Sequence, residues 1–269
     1  MQTIVIAGGN SGIGRHAAVR LAASGHRLIL LGRDSSKGAQ IVDTLGARAA
    51  RFLKVDLSTH DGVRLAATQV LSENDAIDAV LHSTGLLMTK EARTNDGLHP
   101  FFAVNYLSRY HLTQLLLPAL RRVERARVVM MTASVPPADC GLGDFPWYEH
   151  FNFFRMRQPI QLANHHYAAH LAMTEPTILA GVVNAGAADT DILRSLPRGV
   201  RSIGRALGPL AFDSLDTATV NPAEATRRDD WIPATYWPKP GKFNVRSPIA
   251  LDPATTQHVV DVSRALTAA

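Results

Sequence analysis

The sequence predicts a doubly wound α/β fold, a parallel sheet with helices on both faces and a lid insertion toward the C-terminal third. Three observations carry that expectation. Short runs that are apolar at almost every position alternate with amphipathic runs, strand then helix, from the start of the chain. Strands covered on both faces read in this way, because neither side meets water. A glycine-rich turn, "AGGNSGIG", joins the first apolar run to the first helical one, which is the turn a right-handed strand-helix-strand crossover uses to bind an anion.

The elements follow in order. "TIVIAG" (3–8), "RLILLG" (27–32), "ARFLKVD" (50–56), "AIDAVLHSTG" (76–85), "ARVVMMTAS" (126–134) and "TILAGVVNAG" (177–186) are the strands. Between them "SGIGRHAAVRLAASG" (11–25), "SSKGAQIVDTLG" (35–46), "HDGVRLAATQVLSEN" (60–74), a long helical pattern over 101–123 and "PIQLANHHYAAHLAM" (159–173) are the helices. Residues 191–240 break the rhythm with Gly, Pro and Arg around helical fragments. So long an irregular stretch in a compact chain reads as a substrate-binding lid. The expectation is one dinucleotide-binding domain over 1–269, with the lid inside it, and no internal repeat.

Bulk properties exclude several classes. With 269 residues and 46% hydrophobic content, the chain can bury one large core. Its one cysteine, Cys140, permits no internal disulfide and suits a reducing compartment. The apolar pattern begins at residue 3, which leaves no room for a secretory leader, and no run approaches the roughly 18 apolar residues of a membrane span. A soluble, cytoplasmic protein without membrane partners is expected. The net charge of +5 comes from scattered arginines, with some concentration at Arg194, Arg198, Arg201 and Arg205. Without clustered Lys/Arg and interleaved aromatics, this points to anionic small molecules and a solvated basic face, and not to nucleic acid.

Gly8, Gly12 and Gly14 stand where backbone must approach a pyrophosphate, and the following helix start offers unpaired N–H donors and a positive dipole end. The second strand ends at Gly32, followed by Arg33. An acid there would hold an unmodified ribose, whereas glycine then arginine makes room and provides donors for a 2'-phosphate. NADPH is therefore the expected cofactor. Asp34 could partly cancel Arg33 or cap the next helix.

"GGNSGIG", "LLGRDSSKG", "VDLST" (55–59), "HSTG" (82–85), "NDGLHPFFAVNYLSRYHLTQLLLPAL" (95–120), "RVVMMTAS" (127–134), "GVVNAGAADTDI" (181–192) and "PGKFN" (240–244) run in order through nearly the whole chain. In these motifs the sequence resembles the short-chain dehydrogenase/reductase superfamily, a Rossmann fold, in its retinol-dehydrogenase-like branch. The resemblance implies that Gly8, Asn10, Ser11, Gly12, Ile13 and Gly14 form the pyrophosphate turn. Arg33 and Asp34 would flank the adenosine phosphate, and Asp56 and Leu57 the adenine. Ser83 and Gly85 would lie beside the adenosine ribose, and Thr190 would hold the nicotinamide carboxamide. Asn105 would be the helix asparagine that supports the active-site water network. Ala185-Gly186 replaces the family's Pro-Gly. Relatives pair through the helices of 101–123 and 159–173, and a monomer or homodimer is expected.

The chemistry departs from that pattern. In the family a serine polarises the carbonyl, a tyrosine passes the proton, and a lysine four residues on lowers the tyrosine's pKa and holds the nicotinamide ribose. Residues i and i+4 share a helix face, which explains the spacing. The counterpart of that run is "RQPIQLAN", where Leu162, Ala163 and Asn164 match; the tyrosine position falls on Arg157 and the lysine position on Gln161. The serine position falls on Ala133, with Ser134 one residue away as a substitute. Tyr148, His150, His165, His166 and Tyr167 are near in sequence, and the aromatic stretch "FPWYEHFNFF" (145–154) could line an apolar pocket or pack under the lid. The catalytic candidates are Asn105, Ser134 and Tyr148, and no metal is expected.

Orientation of ketone and cofactor alone can lower a barrier by about 7–11 kcal/mol in the best intramolecular cases. A ketone beside a phenol on a polycyclic aromatic would be polarised by its own hydroxyl, with water as proton source. The sequence is similar in this respect to the atypical ketoreductases of aromatic polyketide antibiotic pathways. Two alternatives stay open: a non-redox cyclase or dehydratase on the same scaffold, and a catalytically silent NADPH-binding protein.

Overall fold

The computed structural model describes residues 1–268 apart from 134, 139–141, 143–144, 147–150 and 187–212. Among the described residues eight strands form one sheet in the order β3-β2-β1-β4-β5-β6-β7-β8. The strands are β1 (Thr3–Ala7), β2 (Arg27–Gly32), β3 (Ala50–Lys54), β4 (Ala79–His82), β5 (Ala126–Thr132), β6 (Ile178–Asn184), β7 (Thr235–Trp237) and β8 (Ser247–Pro248). All neighbours are parallel except β8, which pairs antiparallel with β7. The order reverses between β1 and β4, and the crevice at the carboxyl ends beside such a reversal is where α/β sheets bind ligands.

Strands β1 to β7 each feed two cores because successive side chains point to opposite faces. Ile4, Ile6, Leu28 and Leu30 meet α1 (Gly12–Ala23), α2 (Ser35–Leu45) and α7 (Leu215–Arg227) on one side. Val5, Ala7, Ile29 and Leu31 meet the other helices on the opposite side. These are α3 (His60–Leu71), the run from α4 (Pro100–Phe102) through a π turn (Ala103–Leu107) into α5 (Ser108–Leu120), α6 (Phe153–Thr174) and α8 (Pro253–Thr267).

Three sequence expectations change. The long helix over 101–123 contains a π turn, in which Asn105 is central. Helix α6 starts at Phe153, not 159, because the Asn152 side chain accepts from Arg155 N and caps it; Pro159 falls inside the helix. The expected lid of 191–240 is corrected in its described part. Helix α7 packs against α1, and β7 pairs with β6 through Gly181↔Thr235, Val182↔Tyr236 and Val183↔Trp237, so both belong to the scaffold. The rest of that stretch, 191–212, lies outside the described residues.

Helix α8 lies across α5 and α6. Tyr106 Oη meets Ser263 Oγ at 2.8 Å and His166 Nδ1 meets Thr256 Oγ1 at 2.8 Å, all four groups buried. Among the described residues no helix is long and apolar enough to cross a membrane.

Candidate active site

The crevice begins at the glycine turn. Gly8 (φ +85°) and Gly12 (φ +51°) adopt the left-handed backbone that side chains resist. At Gly14 the constraint is space: an added Cβ would lie 2.2 Å from Ser83 Oγ and 2.4 Å from Gly8 O. Helix α1 therefore starts directly against the ends of β1 and β4. Its N-cap residue Ser11 has extended backbone and places no side-chain oxygen on the first-turn amides. Those donors, which include the amides of Ile13 and Gly14, are left for an anion.

The turn is fixed to the end of β2. Asn10, 6% exposed, donates from Nδ2 to Asp34 O at 3.1 Å, and its amide fills the space where a Gly32 side chain would stand. The Asp34 carboxylate accepts from Lys37 N at 3.1 Å and caps α2, which engages it away from the exposed Arg33. At the end of β3 exposed Asp56 accepts from Ser58 N at 3.0 Å beside buried Leu57. Ser83 donates to Ala7 O at 2.7 Å, and exposed Gly85 follows on the loop. A dinucleotide lying over these strand ends would find glycine backbone, first-turn amides and one exposed cation, so the residues present fit the group.

The second half of the site is a buried polar network. The Asn105 side chain ties the π turn to the loop after β4, with Oδ1 accepting from Leu86 N at 3.2 Å and Nδ2 donating to Leu86 O at 2.9 Å and Phe101 O at 2.8 Å. The Asn105 carbonyl is taken by Asn164 Nδ2 from α6 at 3.2 Å. π turns of this kind recur at functional sites. Asn164 Nδ2 also reaches Ile160 O and Gln161 O, and its Oδ1 accepts from Arg109 Nη1 at 3.0 Å. Arg109, 2% exposed, donates further to Met131 O at 2.6 Å and Thr84 O at 2.7 Å. Burial lowers its pKa to about 9. Beneath it His82, hydrogen-bonded to Thr113 Oγ1 at 2.8 Å, is held neutral by burial and then by the Arg109 charge, its pKa lowered to about 3.

Arg157 is exposed and Gln161 half-buried, one turn apart on α6. Ala133 is exposed at the end of β5. Ser134, Tyr148, His150 and Thr190 lie outside the described residues. His165, His166 and Tyr167 serve the core: His165 Nε2 meets Val135 O at 3.0 Å with its ring against Tyr236, His166 meets Thr256, and Tyr167 Oη accepts from Gln114 at 3.0 Å. Three buried oxygens, Thr84 Oγ1, Thr132 Oγ1 and Gln161 Oε1, have no hydrogen-bond partner among the described residues. They sit after β4, at the end of β5 and on α6, where a polar ligand in the crevice would offer one. Arg109 and the bonding role of Asn164 are the parts that the sequence reading missed. The only hint of the former is a guanidinium inside the apolar helix "NYLSRYHLTQLLL".

Known proteins resemble this chain in sequence and fold. Polyprenol dehydrogenase of Homo sapiens is 26% identical over 226 residues, which cover 79% of this chain and 68% of that protein. Retinol dehydrogenase 12 of Mus musculus is 33% identical over 136 residues, 49% of this chain and 43% of that protein, so the match spans less than half of its length. The crystal structure of an uncharacterized protein from Mycobacterium Paratuberculosis has the same fold, with a TM-score of 0.75 at 22% identity over 100% of this chain and 94% of that one. The family model for short chain dehydrogenase matches residues 2–137, from just before β1 to the loop beyond β5. The chain therefore belongs to the short chain dehydrogenase family of NAD(P)-binding oxidoreductases.

Proposed function

We propose that this protein is an NADPH-dependent ketoreductase acting on a ketone of a polycyclic aromatic, polyketide-type substrate without the usual tyrosine-lysine proton relay. The observation that supports the reading is α6, on which exposed Arg157 and half-buried Gln161 stand at the positions that the resemblance assigns to the relay, in a chain whose glycine turn is tight enough for backbone to approach a pyrophosphate. NADPH, when bound, supplies the hydride. Gly8, Asn10, Ser11, Gly12, Ile13 and Gly14 hold the pyrophosphate, Arg33 takes the 2'-phosphate over Gly32, and Asp56 and Leu57 flank the adenine. Ser83 and Gly85 bound the ribose, Asn105 keeps the crevice floor rigid, and Thr190 positions the carboxamide. Ser134 and Tyr148 are the candidates to touch the substrate carbonyl.

An aromatic substrate suits the residues around the start of α6. Phe151 stacks on His99 at 3.4 Å between ring centroids, and Phe153 meets Phe101 edge-on. A phenol beside the ketone donates an internal hydrogen bond to the carbonyl oxygen, and water delivers the proton. Because α8 covers α5 and α6, a monomer is favoured over a homodimer. The lone Cys140 suits a reducing cytoplasm.

The test is NADPH deuterated at the transferred position, given with phenol-bearing polycyclic ketones. Deuterium in the alcohol product is expected. Product without deuterium would make the protein a non-redox cyclase or dehydratase, and cofactor binding without any product would make it a silent binder; either result overturns the proposal.

A further inference from the structure

Arg109 is a buried cation in a strictly neutral setting. Its guanidinium donates to two backbone carbonyls, Thr84 O and Met131 O, and to one amide oxygen, Asn164 Oδ1. Among the described residues no carboxylate pairs with it, its Nε has no partner, and the titratable group beneath it, His82, is neutral. A buried charge without a counter-ion is expensive, and folded proteins keep one where something else offsets the cost. Both carbonyls lie at the carboxyl ends of the strands that frame the crevice, Thr84 next to Gly85 and Met131 two residues before Ala133.

We propose that Arg109 supplies, from α5, the fixed positive charge that the family's lysine supplies from the position of Gln161, and that it acts as a positioning residue through Asn164. This rests on the reading of a reductase that lacks the relay. Asn164 is the link: Arg109 donates to its Oδ1, while its Nδ2 holds the carbonyls of Asn105 and Gln161. One side chain thereby locks β4, β5, the π turn and α6 together and leaves an uncancelled positive potential at the crevice. In reduction the hydride forms a C–H bond at the carbonyl carbon. The carbonyl π pair moves to oxygen, the cofactor leaves oxidised, and the oxygen takes a proton from water. A preorganised cation favours the oxygen's developing charge and the anionic cofactor alike.

The experiment compares the full chain with Arg109→Lys, Arg109→Gln and Arg109→Gln/Gln161→Lys. Glutamine keeps a donor for the strand carbonyls without the charge, and near-UV circular dichroism checks that each variant is folded. The Kd for NADPH, an activity-free readout, should rise three- to tenfold in Arg109→Gln and less than twofold in Arg109→Lys. With a phenolic ketone, kcat should fall at least tenfold in Arg109→Gln and recover at least threefold when Gln161→Lys is added. A folded Arg109→Gln with native Kd and kcat would overturn the inference. So would an Arg109→Lys chain as impaired as Arg109→Gln, or a double variant that recovers neither Kd nor kcat. If the native chain turns over no ketone, the ketoreductase reading fails by itself, and the NADPH-binding arm still decides the role of Arg109. If Arg109→Gln does not fold, Arg109→Lys decides: native Kd and kcat support the charge role, and loss of either overturns it.

Discussion

Lowering the pH from 7 to 5 should remove about 4 kcal/mol of stability through two of the buried histidines alone, His82 and His165, which resist protonation while the chain is folded; buried His111, whose pKa is lowered to about 4, adds to the loss in the same direction. His82 is 1% exposed, and its pKa is lowered to about 3 by burial first and the Arg109 charge second. His165 is 0% exposed, and burial lowers its pKa to about 4 against the raising effect of its hydrogen bond to Val135 O. In the unfolded chain both titrate near about 6.5. The sign follows: below that value the unfolded state takes up protons that the folded state refuses, so stability is complete above pH 6.5 and is lost as pH falls toward 4 and 3. Each histidine gives a slope of about 1.4 kcal/mol per pH unit inside that window, or about 2 kcal/mol between pH 7 and 5. Against a typical total of about 5–15 kcal/mol this is a large share. Urea unfolding followed by far-ultraviolet circular dichroism at pH 7, 6 and 5 measures it. His82→Gln retains a hydrogen-bonding group for Thr113 but cannot titrate, and should reduce the loss between pH 7 and 5 by about 2 kcal/mol. A native chain equally stable at pH 7 and 5, or a His82→Gln variant with the native pH dependence, would refute the reasoning.

The remaining predictions concern the crevice and α8. Gly14→Ala places a methyl 2.2 Å from Ser83 Oγ and 2.4 Å from Gly8 O; the chain should fold with NADPH affinity at least about tenfold weaker by fluorescence titration, since backbone cannot yield as a side chain would. Arg33→Ala should weaken NADPH by about 10- to 100-fold and leave NADH nearly unchanged, as expected for loss of a charged phosphate contact. Ser263→Ala strands the buried Tyr106 hydroxyl and should cost about 1–3 kcal/mol in urea unfolding. Light scattering of the native protein should give the mass of one chain, and deletion of α8 should produce larger species.

The legible parts of the molecule were those fixed by short stretches of chain. The five inner strands β1, β2, β4, β5 and β6 announce themselves because both faces are buried, and the glycine turn does so because backbone geometry and close approach are local demands. Strand β7 was missed because "TYW" is too short to show a period and lies between Pro233 and Pro238. Helix α7 was hidden by Pro222 inside it, in a region rich in proline and arginine. The π turn leaves no trace in an apolar pattern, since one extra residue in a turn shifts the stripe only slightly. Arg109 was illegible for a different reason. Its partners come from β4, β5 and α6, up to 55 residues away along the chain, and nothing beside it in sequence tells that a charge will meet three neutral oxygens there.

Strand β8 has a consequence for how molecules of this protein meet. It is two residues long, and the second, Pro248, lies opposite Thr235 in the outermost ladder. A proline has no N–H to offer a newcomer, so a strand from another molecule finds almost no row of donors to zip onto. At the far margin β3 carries exposed Lys54, and exposed Arg51 is paired with Glu73, so an added strand there would have to bury charged side chains. Both rims of a largely apolar sheet are thus unfavourable to growth, and crowding should leave the folded chains as separate particles instead of ribbons.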